Sequence, residues 1–158
     1  MRLTEIAVAD AVISELSSTE RDAVIGELVD ALIDAGAASG IQREELVSAV
    51  LEREKRGSTG FGKGVAVPHV KHTKAKKVSL AIGLSQTGVD FNSLDKQPVY
   101  SVFLLLSPAD NPEEHLKAME VIFKNLSYDT FRRFLRQATT RQAIMDLLEE
   151  ADSQNMGR

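Results

Sequence analysis

Three histidines and one glycine-rich segment are the features of this chain whose residue types and spacing favour chemistry. The segment from Gly57 to Gly64 holds four glycines in eight residues, and it leads into Val65-Ala66-Val67 and then Pro68-His69. Proline fixes its own φ and biases the preceding residue to an extended backbone. Because a neutral imidazole is a nucleophile near neutral pH, the pattern predicts a reactive histidine at the stiff end of a strand. On residue types alone, a surface histidine after an ordinary glycine turn is an equal alternative.

The glycine-rich segment is close to a nucleotide-binding loop but does not complete one. After Gly57, Gly62 and Lys63, a P-loop requires a serine or threonine to bind magnesium, and this chain has Gly64 there. The segment also follows a predicted helix and opens a strand, which reverses the P-loop order. The spacing equally fails the dinucleotide-binding fingerprint. What remains is a loop whose successive N–H groups could form a nest for an anion such as phosphate.

His72 stands three residues after His69 and suggests a metal-binding pair. No acidic third ligand is in register, and the pattern is not the His-Glu-x-x-His helix, so we predict that His72 is an exposed loop histidine. The chain has no cysteine, which excludes disulfides and thiolate metal sites. Four lysines follow closely and predict a basic turn, either simply solvated or steering a charged partner: Lys71, Lys74, Lys76 and Lys77.

The elements that must position these residues are helices, then strands, then helices. Capping-box patterns open helices at Ser17 and Thr139, a helix is predicted over 42–56, and further helices begin at Pro112 and near Phe131. Apolar stretches predict strands over 65–67, 78–84 and 99–106, in a sheet covered on both faces. This order predicts an α/β sandwich with a mixed sheet. Without a linker or repeat, we expect one domain over residues 1–158, with its core at about 10–150 and a frayed tail at 151–158.

Composition excludes several classes of function. The 158 residues carry a net charge of −4 with 5% aromatic residues and no tryptophan, which argues against nucleic-acid binding. No apolar run approaches the roughly 18 residues that a membrane-spanning helix needs. Glu5 and Asp10 interrupt the stretch that a signal peptide would require. We therefore expect a cytoplasmic protein with no direct membrane insertion.

Three stretches of the chain carry a resemblance to a known family. They are Leu51 to His69, with its Arg53-Glu54 pair and the Gly-Ser-Thr-Gly-Phe-Gly run before Pro-His; Phe91 to Val99; and Leu106 to Leu116. In these stretches the sequence resembles the fructose/mannitol-type (type 2) enzyme IIA of the bacterial phosphoenolpyruvate-dependent phosphotransferase system, including its nitrogen-regulatory branch. The resemblance extends over roughly residues 10–150. It implies a mixed, mostly five-stranded sheet flanked by helices on both faces.

The resemblance also implies an activity and a site. His69 would accept a phosphoryl group from phosphorylated HPr on its ε nitrogen, with His115 and Arg53 as the other active-site residues. Additional donors to the phosphoryl group are expected from the glycine-rich segment, at Ser58, Thr59, Gly60 and Gly62. The scheme requires no metal and no cofactor. One departure from the family pattern is Val70, which stands where the family usually has glycine.

Two hypotheses describe what the phosphorylated protein would do. As a standalone IIA protein, the chain would pass the phosphoryl group to an enzyme IIB and energise sugar uptake. As a regulatory module, it would bind kinases or transporters according to its phosphorylation state. A third hypothesis is that the protein is an unphosphorylated scaffold. The presence of His69, His115 and Arg53 together disfavours it.

Overall fold

The computed structural model describes residues 1–154 as one mixed sheet between two layers of helices. The helices are α1 (Leu3–Ile6), α2 (Arg21–Asp34), α3 (Arg43–Lys55), α4 (Pro112–Leu126), α5 (Asp129–Gln137) and α6 (Arg141–Gln154). The strands are β1 (Ala7–Ile13), β2 (Gly60–Gly62), β3 (Val65–Ala66), β4 (His69–His72), β5 (Ser79–Val89) and β6 (Val99–Pro108). The predicted sandwich is confirmed, whereas α1 and β1 were not predicted.

The sheet has the order β1-β5-β6-β3-β2, and β4 also pairs with β6. β1 is parallel to β5, β5 is antiparallel to β6, and β3 and β4 are both parallel to β6. Val65 pairs with Ser101 and His69 pairs with Leu105, so β3 and β4 follow the same edge of β6 in one register. They are interrupted between these positions at Pro68, which has no N–H to donate. The sheet therefore has six strands rather than five. A strand end was predicted at Pro68-His69, whereas pairing with β6 resumes at His69 as β4.

The central strand β6 is buried on both sides, as its apolar run predicts. Val102, Leu104 and Leu106 pack with the layer formed by α2 and α3. Phe103 and Leu105 pack with the opposite layer, which α1, α4, α5 and α6 form. Alternate residues of a strand point to opposite faces, so both layers are fixed to one strand. This strand leads directly to α4, and it carries β4 along its edge.

Neither predicted capping box caps its helix in the structure. α2 begins at Arg21 rather than after Ser17, and the Ser17 N–H donates to the Glu27 carboxylate, at 3.1 and 2.9 Å, instead of to Glu20. The last helix is capped by Thr140, whose Oγ1 accepts from the Ala143 N–H at 3.0 Å. The residue expected to cap it was Thr139.

The prediction of a frayed tail is wrong for residues 151–154. α6 continues to Gln154 and buries Ala151. Asp152 accepts hydrogen bonds from the Leu3 N–H at 2.7 Å and from the Thr4 N–H at 3.0 Å, which joins the last helix to the first. The rest of the predicted tail, 155–158, lies outside the described residues. Within 1–154, none of the helices has the length and apolarity needed to cross a membrane.

Candidate functional site

A cleft of about 600 Å³ lies where the end of α3, the start of β4 and the first turn of α4 meet. Its lining is rich in basic groups and includes two of the three histidines. Among the residues that line it are Arg53, Arg56, His69, Lys71, His115 and Leu116. The structure thus brings together the three residues that the family resemblance selects, which lie up to 62 positions apart in the chain.

His69 is the first residue of β4 and is half-buried. Its Nδ1 lies 2.8 Å from the carbonyl oxygen of Val67. A carbonyl oxygen can only accept a hydrogen bond, so Nδ1 carries the proton. In the neutral ring the lone pair is therefore on Nε2, which is free to act as a nucleophile.

The environment of His69 keeps its ring neutral. Burial lowers the pKa of His69, and the positive charges of Arg53 and Lys71 lower it further, against the opposing effect of the Val67 hydrogen bond. A neutral imidazole is therefore the form present near neutral pH. The same positive charges that suppress protonation of the ring can attract an incoming anion.

His115 lies in the first turn of α4, which Asn111 caps and Pro112 begins. The Asn111 side chain accepts from the Glu114 N–H at 3.3 Å, and proline at this position suits a helix start. The cap places the His115 ring beside His69, with 5.7 Å between the two ring centroids and 50° between the ring planes. The helix predicted from Pro112 is thus confirmed.

A buried hydroxyl holds the other side of the His115 ring. Ser107 Oγ lies 2.7 Å from His115 Nδ1, and within residues 1–154 this is the only hydrogen bond of the Ser107 side chain. Because a buried hydroxyl requires an acceptor, we assign Ser107 as the donor and Nδ1 as the acceptor. Burial, followed by the charges of His69 and Lys71, lowers the pKa of His115 to about 4. The ring is then neutral, with its proton on Nε2 as a donor.

Arg53 completes the basic lining from the last turn of α3. Its Nη1 donates to the carbonyl oxygen of Gly57 at 3.0 Å, and the side chain is half-buried. A guanidinium has five N–H donors, so this bond fixes its position and leaves other donors for an anion. Arg53 is therefore suited to bind phosphoryl oxygens beside His69.

The glycine-rich segment forms a hairpin, not an open loop, and its predicted donors do not line the cleft. β2 and β3 pair antiparallel, and Lys63 and Gly64 make the turn with φ values of 60° and 77°. Positive φ at both central residues is typical of the tight turn that joins two strands. Gly62, which has a φ of 111°, lies in β2 against Asp95.

The donors at the start of the hairpin are already used within the protein. The Thr59 N–H and hydroxyl both donate to the buried carboxylate of Glu54. The Gly60 N–H donates to Ser58 Oγ at 3.0 Å. Ser58, Thr59, Gly60 and Gly62 are not among the residues that line the cleft, and their role as phosphoryl-binding donors stays a prediction.

His72 also differs from its prediction. It is a buried residue of β4 rather than an exposed loop histidine. Its Nδ1 accepts from the Lys74 N–H at 3.0 Å, which places the ring proton on Nε2, 2.8 Å from Glu45 Oε1. His72 therefore fastens β4 to α3 on the side of the strand away from His69.

Sequence reasoning missed the groups that lie behind the two histidine rings of the cleft. Ser107 is a polar residue inside an apolar strand, and a buried polar residue of that kind was the available signal. Glu54 was read only as part of the family motif, although it is a buried carboxylate. The Val67 carbonyl carries no sequence signal, because any residue at that position supplies one.

The chain matches the family model described as "Phosphoenolpyruvate-dependent sugar phosphotransferase system, EIIA 2" over residues 5–151. It is 33% identical over 152 residues to the fructose-specific EIIABC component of Bacillus subtilis, a match that covers 96% of this chain and only 24% of that protein. The fructose-specific EIIA component of Haloferax volcanii is 32% identical, with 82% and 83% of the two chains covered. A nitrogen regulatory protein of Klebsiella oxytoca is 36% identical, with 73% and 72% covered. The chain thus spans about a quarter of the Bacillus subtilis relative and most of the other two.

Solved structures share the fold. The nitrogen regulatory protein IIA-Ntr of Neisseria meningitidis superposes with a TM-score of 0.83 at 26% identity, covering 91% of this chain and 97% of that one. The mannitol enzyme IIA of Escherichia coli, solved in complex with its phosphorylated enzyme IIB, has a TM-score of 0.74 at 19% identity, with 89% and 95% covered. Together with the family match over nearly the whole chain, these findings show that the chain belongs to the EIIA 2 family of the phosphoenolpyruvate-dependent sugar phosphotransferase system.

Proposed function

We propose that this chain is a phosphocarrier that accepts a phosphoryl group on Nε2 of His69 and passes it on. The observation that carries the proposal is the hydrogen bond from His69 Nδ1 to the Val67 carbonyl, because it leaves the lone pair on Nε2. The donor that family membership suggests is phosphorylated HPr. The protein would act in the cytoplasm, with residues 1–158 as one IIA domain, of which the family model covers 5–151.

The transfer step needs no general base at His69. The lone pair of Nε2 forms the new N–P bond while the N–P bond of the phosphorylated donor breaks. The electron pair of the broken bond stays on the donor nitrogen. With a proton on the other nitrogen of the donor's phosphohistidine ring, the donor leaves as a neutral imidazole. The His69 ring gains positive charge in this step, and its Nδ1–H remains hydrogen-bonded to the Val67 carbonyl, which stabilises that charge.

The remaining cleft residues would stabilise the phosphoryl group electrostatically. Phosphoryl transfer depends mainly on positioning and charge stabilisation. Arg53 supplies a fixed guanidinium, and Lys71 supplies a second positive charge on the same side of β4 as His69. His115 supplies a neutral Nε2–H donor, since its Nδ1 accepts from Ser107. No metal is needed in this scheme.

The relatives suggest two functions for the phosphorylated protein. The fructose-specific relatives and the mannitol IIA–IIB complex favour onward transfer to an enzyme IIB. A second candidate function is regulation, in which phosphorylation of His69 controls binding to a kinase or transporter. The 36% identity with a nitrogen regulatory protein and the TM-score of 0.83 with IIA-Ntr favour this candidate.

The test is intact-mass spectrometry after incubation with phosphoenolpyruvate, enzyme I and HPr. The wild type is expected to gain one acid-labile phosphoryl group, and His69→Gln, which keeps a polar side chain of similar reach, is expected to gain none. A wild type that stays unmodified while a known enzyme IIA is phosphorylated in the same mixture overturns the proposal, provided that HPr of the same organism gives the same result. Loss of the phosphoryl group on adding an enzyme IIB then identifies transport, and phosphorylation-dependent capture of a kinase without that loss identifies regulation.

A further inference from the structure

A buried carboxylate is linked to the reactive histidine through hydrogen bonds. Glu54, in the last turn of α3, is only 2% exposed. Its carboxylate accepts from the Thr59 N–H at 3.2 Å and from the Thr59 hydroxyl. Within residues 1–154 it has no ion-pair partner, so these two bonds are what compensates its burial. Thr59, itself fully buried, is held firmly in place by them.

The next two bonds lead from Thr59 to His69. The Thr59 carbonyl accepts from the Val67 N–H at 3.1 Å. The Val67 carbonyl in turn accepts from His69 Nδ1 at 2.8 Å. Val67 lies at the interruption between β3 and β4. Within residues 1–154, its backbone makes no other hydrogen bond. The peptide group that fixes the His69 tautomer is therefore fixed by Thr59, and Thr59 by Glu54.

We infer that Glu54 is a positioning residue for phosphoryl acceptance, acting on His69 through Thr59 and Val67. The expected effect on the rate of phosphoryl acceptance rests on the proposed function, whereas the expected effect on the His69 tautomer does not. In this arrangement the Thr59 N–H and hydroxyl support the peptide group behind the nucleophile.

The same helical turn positions two active-site residues. Arg53 reaches the Gly57 carbonyl at 3.0 Å, and the adjacent Glu54 reaches Thr59. The segment between α3 and β2 is thus fastened at both ends by consecutive residues. Because of this arrangement, the guanidinium in the cleft and the carbonyl behind His69 are held in one rigid unit.

The experiment compares Glu54→Ala and Thr59→Val with Thr59→Ser, which retains the hydroxyl. Glu44→Ala is the matched control, because Glu44 is an exposed glutamate on the same helix. The first readout is the ¹⁵N spectrum of the His69 ring, recorded in protein with labelled histidine at a pH where the ring is neutral. The second is the rate of phosphoryl acceptance from phosphorylated HPr, with kcat and KM determined separately.

In the wild type and in Glu44→Ala, the His69 spectrum is expected to show a single tautomer with the proton on Nδ1. In Glu54→Ala and Thr59→Val, the two ring nitrogens should move toward the averaged shifts of a tautomer mixture. The kcat for acceptance should fall about tenfold, as expected for the loss of one orienting hydrogen bond, while KM for HPr stays unchanged. Thr59→Ser should restore both the spectrum and most of the rate.

The inference is overturned if the His69 spectrum of either variant remains that of the wild type, even when its rate falls. If Glu54→Ala does not fold, Thr59→Val decides, since it preserves the shape of the buried side chain. If the wild type accepts no phosphoryl group, the proposed function has failed, and the ring spectra still decide whether Glu54 fixes the His69 tautomer.

Discussion

The ring centroids of His69 and His115 lie 5.7 Å apart, with 50° between the ring planes. Each ring has its Nδ1 fixed by a hydrogen bond to a group behind it. The Val67 carbonyl accepts from His69, and the Ser107 hydroxyl donates to His115. The two rings are therefore in opposite tautomers, one with a lone pair on Nε2 and the other with a proton there. This pairing provides a nucleophile and a hydrogen-bond donor within the same cleft.

The burial of His115 predicts a loss of stability in mild acid. The pKa of His115 is lowered to about 4 in the folded protein, whereas an unfolded histidine titrates near 6.5. As the pH falls from about 6.5 to about 4, the unfolded state binds a proton that the folded state does not, so the free energy of unfolding decreases. The ring borders an open cleft, which screens part of the effect, and we expect a loss of about 1–2 kcal/mol.

The measurement is urea denaturation of the wild type and of His115→Asn at pH 7 and pH 4.5. Asparagine can still bond to Ser107 but does not titrate, so the variant should lose less stability between the two pH values. The carboxylates common to both proteins cancel in this difference. An equal pH dependence of the two proteins would contradict the prediction.

A second prediction concerns Ser107→Ala, which removes the partner of His115 Nδ1. The unsupported ring can then place its proton on either nitrogen, and the Nε2–H donor is lost for part of the time. We expect kcat for phosphoryl transfer to fall about tenfold, with little change in KM for the donor protein. The control is Ser101→Ala, a buried serine on the same strand that lies outside the cleft. Equal rates in the two variants would remove Ser107 from the mechanism.

Three residues that line the cleft could be predicted from the sequence, whereas part of the fold around them could not. His69, His115 and Arg53 stand in long motifs, and the start of α4 follows from local signals at Asn111 and Pro112. The hairpin could not be predicted, because its three glycines, Gly60, Gly62 and Gly64, disfavour a strand when considered alone. Gly60 fits there because Ser93 Cβ lies 2.7 Å from the position that a Cβ would occupy, a contact between distant parts of the chain.

Three other errors in the sequence-based predictions also come from contacts that are not local in the sequence. Ser17 looks like a helix cap until Glu27 takes its N–H. His72 looks exposed until Glu45 of another element reaches its ring. The tail predicted at 151–158 looks frayed, but Asp152 accepts hydrogen bonds from the N–H groups at the start of α1. In each case the two bonded groups are at least ten positions apart in the sequence, and local patterns contain no information about such a contact.

A third prediction follows from the charge of Lys71, which lies two residues after His69 on β4 and lowers its pKa. Lys71→Gln should raise the pKa of His69, so that more of the ring is protonated at pH 6. Since only the neutral ring is nucleophilic, the ratio of acceptance rates at pH 6 and pH 8 should fall relative to the wild type.

The control for this prediction is Lys76→Gln, which removes an equal charge from the segment between β4 and β5, at a residue that does not line the cleft. Its rate ratio should remain that of the wild type, even if slower encounter with the donor lowers both rates. An NMR titration of His69 in the two variants checks the cause directly. A His69 pKa that is the same in Lys71→Gln and in the wild type would contradict the prediction.

The last prediction tests the hairpin turn that joins the two strands supporting the site. Gly64 has a φ of 77°, and a Cβ there would lie 3.1 Å from Tyr100 Cδ2. Gly40 has nearly the same φ, 82°, but no atom lies within 4 Å of its Cβ position. Gly40→Ala should therefore show only the backbone strain, about 1 kcal/mol, and Gly64→Ala about 2 kcal/mol because the ring must also shift. Urea denaturation of both variants gives the difference, and equal losses would mean that Tyr100 moves aside freely and does not constrain the turn.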